Sequence, residues 1–239
     1  MTIINAFWDT RNLGVETVEV KVDTSDPIND ISNSISKLKA KYQVIRAPVN
    51  RLDIYSLLHS LNFTFIEAMY HIYFDFERFE IKWGDYDKYV SYRECIDKDD
   101  IEFIYATIRK GMYKNDRISL DPYFNKETAA ERYVNMIKDK LELGAKVCSI
   151  VHQDNDIGFF GVCEKDEKVY DYFLTGIYPS YQGMGFGSNA YTQALAYMKS
   201  KGGKLAYGSV SANNPGSFLV NTRSGFMLDF IEYIFIRHI

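Results

Sequence analysis

Cysteine is scarce and unpatterned. Cys95, Cys148 and Cys163 are the full set, an odd number with no metal-like spacing, each inside a strand-like run. They organise neither a disulfide framework nor a metal site and read as reduced core residues. Long apolar runs are missing too. No stretch approaches the ~18 residues of a membrane span, and Met1 to Trp8 carries no basic, signal-like start. Positive charge is not in excess: 28 Lys+Arg against 32 Asp+Glu give a formal net charge of −4, which argues against nucleic acid as the main partner. Low-complexity segments are absent. These absences lead us to expect a cytoplasmic location, with no metal, no nucleic acid and no membrane among the partners.

What is present is an ordinary globular composition, 46% hydrophobic and 25% charged over 239 residues, enough for one large or two small domains. Aromatics are abundant, mostly Tyr and Phe, as a sheet-rich core requires. One stretch stands out. A strand-like run, Val169 to Ile177, leads into Tyr178 to Ser188, rich in glycine, and then into a helical pattern of Phe186, Ala190, Ala194, Leu195 and Met198. Gly183, Gly185 and Gly187 let a ligand approach the backbone, and the first N–H groups of the new helix favour an anion. A phosphate or pyrophosphate is the expected guest. The order Gln182-x-x-Gly185-x-Gly187 lacks the Gly-Lys-Ser/Thr ending of a P-loop, and Ser188 breaks the register of a dinucleotide fingerprint.

That order, preceded by Ile177-Tyr178-Pro179, resembles the acetyl-CoA loop of the GNAT N-acetyltransferases. Downstream, Asn214 is followed by Gly225-Phe226, similar to the family's Asn-x-x-Ala…Gly-Phe element, with Ser217 where Ala is usual. The resemblance implies an α/β (α+β) GNAT fold, with a mixed, mostly antiparallel sheet flanked by helices.

The remaining patterns fit that order. Val15 to Val22, Gln43 to Val49 and Phe63 to Phe76 read as strands. Ile28 to Tyr42 reads as a helix presenting Ile31, Ile35, Leu38 and Tyr42, and Arg51 to Leu61 as another. Lys82 to Lys88 reads as a linker. Then come a strand from Tyr89 to Ile96, a helix from about Asp99 to Gly111, irregular chain from Tyr113 to Lys126, and a helix to Leu143 opened by a capping box at Thr128 to Glu131. Strands follow at Lys146 to His152, Ile157 to Cys163 and Lys204 to Val210. Leu61-Asn62-Phe63 with Tyr70 parallels Ser224-Gly225-Phe226 with Tyr233: a helix ending at a residue that tolerates the left-handed conformation, then a strand. We therefore expect residues 1–84 to be a truncated GNAT-like copy and 85–239 to be the acetyltransferase domain.

The segment from Arg117 through Tyr123 and Phe124 to Tyr133 and Ile137 resembles the dTDP-fucosamine N-acetyltransferase group. That likeness implies acetyl transfer from acetyl-CoA to a small-molecule amine on a nucleotide-linked sugar, and a homodimer is a further expectation. By resemblance, backbone groups of Leu174, Gly176 and Ile177 hold the pantetheine arm. Gln182, Gly183, Met184, Gly185, Phe186, Gly187 and Ser188 hold the pyrophosphate, and Asn214 binds pantetheine or caps a helix opened by Pro215. Arg117, Arg132 and Arg51 are candidates for the sugar-nucleotide pyrophosphate, and Tyr123, Phe124 and Tyr133 for stacking. One departure matters. The family's usual general acid is a Tyr seven residues after the Asn, and position 221 is Asn, an amide that cannot donate a proton. Tyr172, Tyr181 and His152 are the candidate substitutes; water or positioning alone are alternatives, as is a CoA-binding protein with weak or no catalysis. An aminoglycoside, polyamine or protein amine could replace the sugar. Asn221→Tyr is expected to raise kcat unless another group already donates.

Overall fold

The computed structural model describes residues 1–85 and 87–239; Tyr86, within the expected linker, lies outside the described residues. Among the described residues, ten strands form one sheet. Its order is β1 (Thr2–Asn5), β2 (Thr17–Lys21), β3 (Tyr42–Pro48), β10 (Met227–His238), β4 (Thr64–Asp75), β9 (Leu205–Ser211), β8 (Val169–Ile177), β7 (Asn155–Asp166), β6 (Lys146–His152) and β5 (Val90–Glu94). Two neighbouring pairs, β2–β3 and β8–β9, are parallel, and the others are antiparallel.

Alternation along the strands sends successive side chains to opposite faces, so each face needs a helical cover. On β7, Phe160 joins Ala194, Leu195 and Met198 of α7 (Asn189–Ser200), while Phe159 joins Ile104 and Ile108 of α4 (Lys98–Arg109) and Val134 and Ile137 of α6 (Lys126–Glu142). On β10, Phe235 packs with Ile31 and Ile35 of α2 (Ile28–Ile35) and Ile54 and Leu58 of α3 (Leu52–Ser60). Its neighbours Ile234 and Ile236 pack on the other face, with Ala129 of α6 and Ile118 of α5 (Arg117–Leu120). The remaining helices are α1 (Phe7–Leu13) and α8 (Pro215–Arg223).

The two halves share a connection order: strand, helix, parallel strand, helix, strand, running β2-α2-β3-α3-β4 and β8-α7-β9-α8-β10. Both second helices end in the same way. Asn62 (φ 60°) and Gly225 (φ 105°) take the left-handed conformation, and the next N–H reaches back, Phe63 to the Leu58 carbonyl (2.9 Å) and Phe226 to that of Asn221 (3.1 Å). The last strand of each half then enters the other: β10 lies between β3 and β4, and β4 lies between β10 and β9.

Several expected elements shift: α5 forms within the segment expected to be irregular, and β7 runs from Asn155 to Asp166 rather than from Ile157 to Cys163. The helix expected to reach Tyr42 ends at Ile35. The Gln43 side chain donates to the Ala40 carbonyl (3.1 Å), supporting the turn, and Tyr42 opens β3 instead. The helix expected to open at Thr128 starts earlier, capped by Asn125, whose Oδ1 accepts from the Thr128 N–H at 2.7 Å. Elements β1 and α1, which the sequence reading left unassigned, complete the N-terminal edge.

Candidate active site

The glycine stretch is held at both ends and left open in the middle. Gln182 Nε2 donates to the Ile177 carbonyl (2.9 Å), folding the turn back on β8, and Phe186 is buried in the core beneath α7. Asp87 accepts from Asn189 Nδ2 (2.6 Å) and Thr192 Oγ1 (2.5 Å), fixing the first turn of α7. Between these anchors Gly183 and Gly185 stand at φ 80° and 91°, which other residues adopt only with strain. The backbone N–H groups of Gly183, Met184, Gly185, Gly187 and Ser188 have no acceptor among the described residues, and no side chain caps α7. A row of free donors at a helix N-terminus fits a pyrophosphate in charge and in hydrogen bonding.

Beside the loop the sheet opens. Strands β8 and β9 pair only from Val169↔Leu205 to Tyr172↔Gly208. Past Tyr172 they part, β8 continuing on β7 alone and β9 on β4 alone. The gap exposes backbone groups of β8. Thr175 O accepts from the Tyr113 hydroxyl at 2.8 Å, and Gly176 is covered so closely by Met112 that an added Cβ would meet it at 2.2 Å.

Two cavities of ≈ 240 and ≈ 260 Å³ follow this gap and share Met112, Tyr113, Thr175, Tyr191, Asn214 and Ser217. The larger runs to the loop and includes Gly176, Ile177, Gln182 and Gly187. The smaller runs toward β4 and includes Lys114, Asp116, Tyr133, Ser209, Ser211 and Asn221. Behind Ser211 lies Glu67, 3% exposed, whose Oε1 accepts from the Arg117 N–H (3.2 Å) and whose Oε2 has no hydrogen-bond partner. Burial pushes its carboxyl above the usual range, against the lowering effects of Ser211 and Arg117. Burial also raises the phenols of Tyr113, Tyr133, Tyr172 and Tyr191 above the ordinary tyrosine value.

The expected site residues divide sharply. Leu174, Gly176, Ile177, Gln182, Gly187, Asn214, Tyr133, Tyr172 and Asn221 line the cavities. Asn214 Oδ1 caps α8 by accepting from the Ser217 N–H (3.2 Å), so its helix role is realised at the cavity wall. Tyr181 and His152 are outside both linings; Tyr181 sits in the 3₁₀ turn before the loop, and His152 Nδ1 lies 3.0 Å from the Tyr89 carbonyl. The expected acceptor cations are engaged elsewhere, which corrects that reading. Arg117 is 3% exposed and bonds Asp9 (2.6 Å) and the Tyr42 hydroxyl (3.0 Å), Arg132 bonds the other oxygen of Asp9 (2.8 Å), and Arg51 pairs with Asp53. Tyr123 stacks on His238 and Phe124 packs on Tyr42, so neither faces the gap. Sequence reading missed Tyr113, Thr175, Tyr191 and Asp116. Ser217 was visible only as a departure from the usual Ala.

Residues 112–226 match the model of the acetyltransferase (GNAT) family. No curated protein matches the sequence significantly. Among solved structures, a GCN5-related N-acetyltransferase from Sphaerobacter thermophilus superposes with TM-score 0.65 at 11% identity, over 99% of this chain and 75% of that one. A conserved protein of unknown function from Staphylococcus epidermidis gives 0.61 at 12%, over 93% and 84%. A tandem GNAT protein from the clavulanic acid biosynthesis pathway gives 0.56 at 13%, over 93% and 75%. At these identities the structures speak to the fold.

Proposed function

We propose that this chain, whose residues 112–226 match the acetyltransferase (GNAT) family, carries the acetyl group of acetyl-CoA to the primary amine of a nucleotide-linked amino sugar by direct attack in a ternary complex. The observation that carries this reading is the gap between β8 and β9, opening beside a loop of unpaired N–H groups. The pyrophosphate of acetyl-CoA sits on Gly183 to Ser188, the pantetheine arm follows the larger cavity along β8, and the thioester reaches the junction with the smaller one. Supplying the acetyl thioester is the part of acetyl-CoA.

The smaller cavity takes the acceptor. At ≈ 240 Å³ it is below the ~300–1,000 Å³ of sites that enclose a whole drug-sized ligand, so it receives the amine-bearing end of the acceptor. Asp116 lines this cavity while its carboxylate caps α5, accepting from the Ile118 and Ser119 N–H groups and the Ser119 hydroxyl, so it offers negative charge to the ammonium from the wall. Ser209, Ser211, Asn115 and Lys114 suit sugar hydroxyls. The attacking nitrogen must be neutral. Glu67, with its raised pKa, stands behind Ser211 as the group to take its proton. With Arg117 and Arg132 committed to Asp9, any nucleotide diphosphate projects outward from the cavity. The division into a truncated copy (1–84) and an acetyltransferase unit (85–239) belongs to the same reading, with β4 of the first supplying Met69 to the acceptor cavity.

A panel of dTDP- and UDP-linked amino sugars, aminoglycosides and polyamines, each incubated with acetyl-CoA, tests this by thiol release and product mass. The nucleotide amino sugars should be acetylated fastest. A clear preference for another amine keeps the reaction and rejects the sugar. The rival reading, a CoA-binding protein without catalysis, rests on Asn221 and predicts acetyl-CoA binding with no thiol release from any amine.

A further inference from the structure

Breaking the thioester leaves a thiolate that needs a proton, and position 221 offers none. The phenols lining the junction of the two cavities are those of Tyr113 and Tyr191. The Tyr113 hydroxyl donates to the Thr175 carbonyl at 2.8 Å, so its proton is committed to the strand. Tyr172 lines the acceptor cavity alone, and its hydroxyl points to the Ala190 carbonyl at 3.4 Å. Tyr191 differs. Its hydroxyl lies 2.5 Å from Ser217 Oγ, a partner that can donate in return and leave the phenol proton free for the cavity.

The surroundings are built to keep it there. Tyr191 rises from the first turns of α7 and stacks edge-on against Tyr172 (5.5 Å) and Phe226 (6.3 Å), which fix its ring. Asn221 is 1% exposed, gives its Nδ2 to the Ser217 carbonyl (2.9 Å), keeps Oδ1 without a hydrogen-bond partner, and has its side chain near the same phenol. Ser217 and Asn221, small residues one helical turn apart on α8, leave room for the Tyr191 ring and supply polar contacts to its hydroxyl.

We infer that Tyr191 is the general acid of this site, held by Ser217 and Asn221, and that it protonates the departing CoA sulfur. The inference rests on the acetyl-transfer reading above. In the step, the amine nitrogen bonds to the acetyl carbon and the C–S bond breaks with its electron pair going to sulfur. The Tyr191 O–H proton moves to sulfur, giving the free thiol. The proton lost by the attacking nitrogen restores the phenol through solvent, so charge and atoms balance.

The test compares unaltered protein, Tyr191→Phe and a protein carrying 3,5-difluorotyrosine at 191. Thiol release from acetyl-CoA is followed with the dTDP- and UDP-amino sugars, aminoglycosides and polyamines as amine probes. Tyr191→Phe should cut kcat by ~10²–10⁴-fold, with acetyl-CoA affinity by calorimetry within about twofold. The fluorinated phenol, more acidic, should move the alkaline limb of the kcat profile to lower pH, which a hydroxyl with only a packing role does not do. Turnover by Tyr191→Phe within about threefold of the unaltered protein, or a limb that stays in place, overturns the assignment alone. No thiol release by the unaltered protein with any probe overturns the acetyl-transfer reading, and this assignment with it.

Discussion

Asp9 shows how much one buried residue can organise. It is 1% exposed and receives Arg117 on one oxygen and Arg132 on the other, tying α1 to α5 and α6. Burial raises its pKa, but the two guanidinium groups outweigh burial and hold it down to about 2 from 3.8. A folded pKa below the unfolded one adds stability above the unfolded value, lost as pH falls through the folded one; the contribution is about 2 kcal/mol. A pH series of thermal melts should therefore show a loss concentrated between pH ~4 and ~2. Asp9→Asn should remove that dependence and cost ~3–5 kcal/mol at neutral pH, because two cations lose their partner. A melt unchanged by the substitution would discard the account. Asn221 belongs to this scale as well. The expectation that Asn221→Tyr restores an acid gives way to packing, since the amide is buried against α8 and beside Tyr191. Overpacking of that kind costs ~1–3 kcal/mol. We expect a lower Tm and no gain in kcat; a variant both faster and equally stable would argue that 221 is the acid position after all.

At the scale of elements, the loop and α7 act together. The strand ends at Ile177, Gln182 closes the turn on it, and the donors left over point where α7 begins. Gly185→Glu puts a side chain at φ 91° and a negative charge among those donors. Acetyl-CoA binding should fall by more than ~100-fold (over ~2.7 kcal/mol), while the fold is retained, as read by calorimetry and circular dichroism. Binding that survives intact in the folded variant would place the pyrophosphate elsewhere.

The whole molecule depends on crossed strands. Among the described residues, β10 finds its strand partners only in β3 and β4, both from the first 84 residues, and β9 has β4 on one side. A fragment of residues 85–239 would leave β10 without a neighbour and expose Ile234, Phe235 and Ile236. It should be insoluble or loosely packed, and co-expression with residues 1–84 should recover acetyl-CoA binding. A fragment that is soluble, well dispersed by NMR and competent to bind would show that the second unit folds alone.

The sequence by itself determined what short-range physics encodes. Glycine, proline and asparagine preferences marked the loop, the α8 cap and the two left-handed helix ends. Period-two and helical patterns gave most elements, because each must bury one face. Tertiary structure decided the rest. The helix boundary at Ile35 was masked by apolar spacing that continued to Tyr42, and α1 was too short for a periodic signal. Nothing in local sequence says that Arg117 will meet Asp9, 108 residues away, rather than a ligand. The same holds for Tyr191 and Ser217, which meet only once α7 and α8 pack on a sheet whose last strand comes from the far end of the chain. A side chain's chemistry is written at its own position, but its partner is set by the fold.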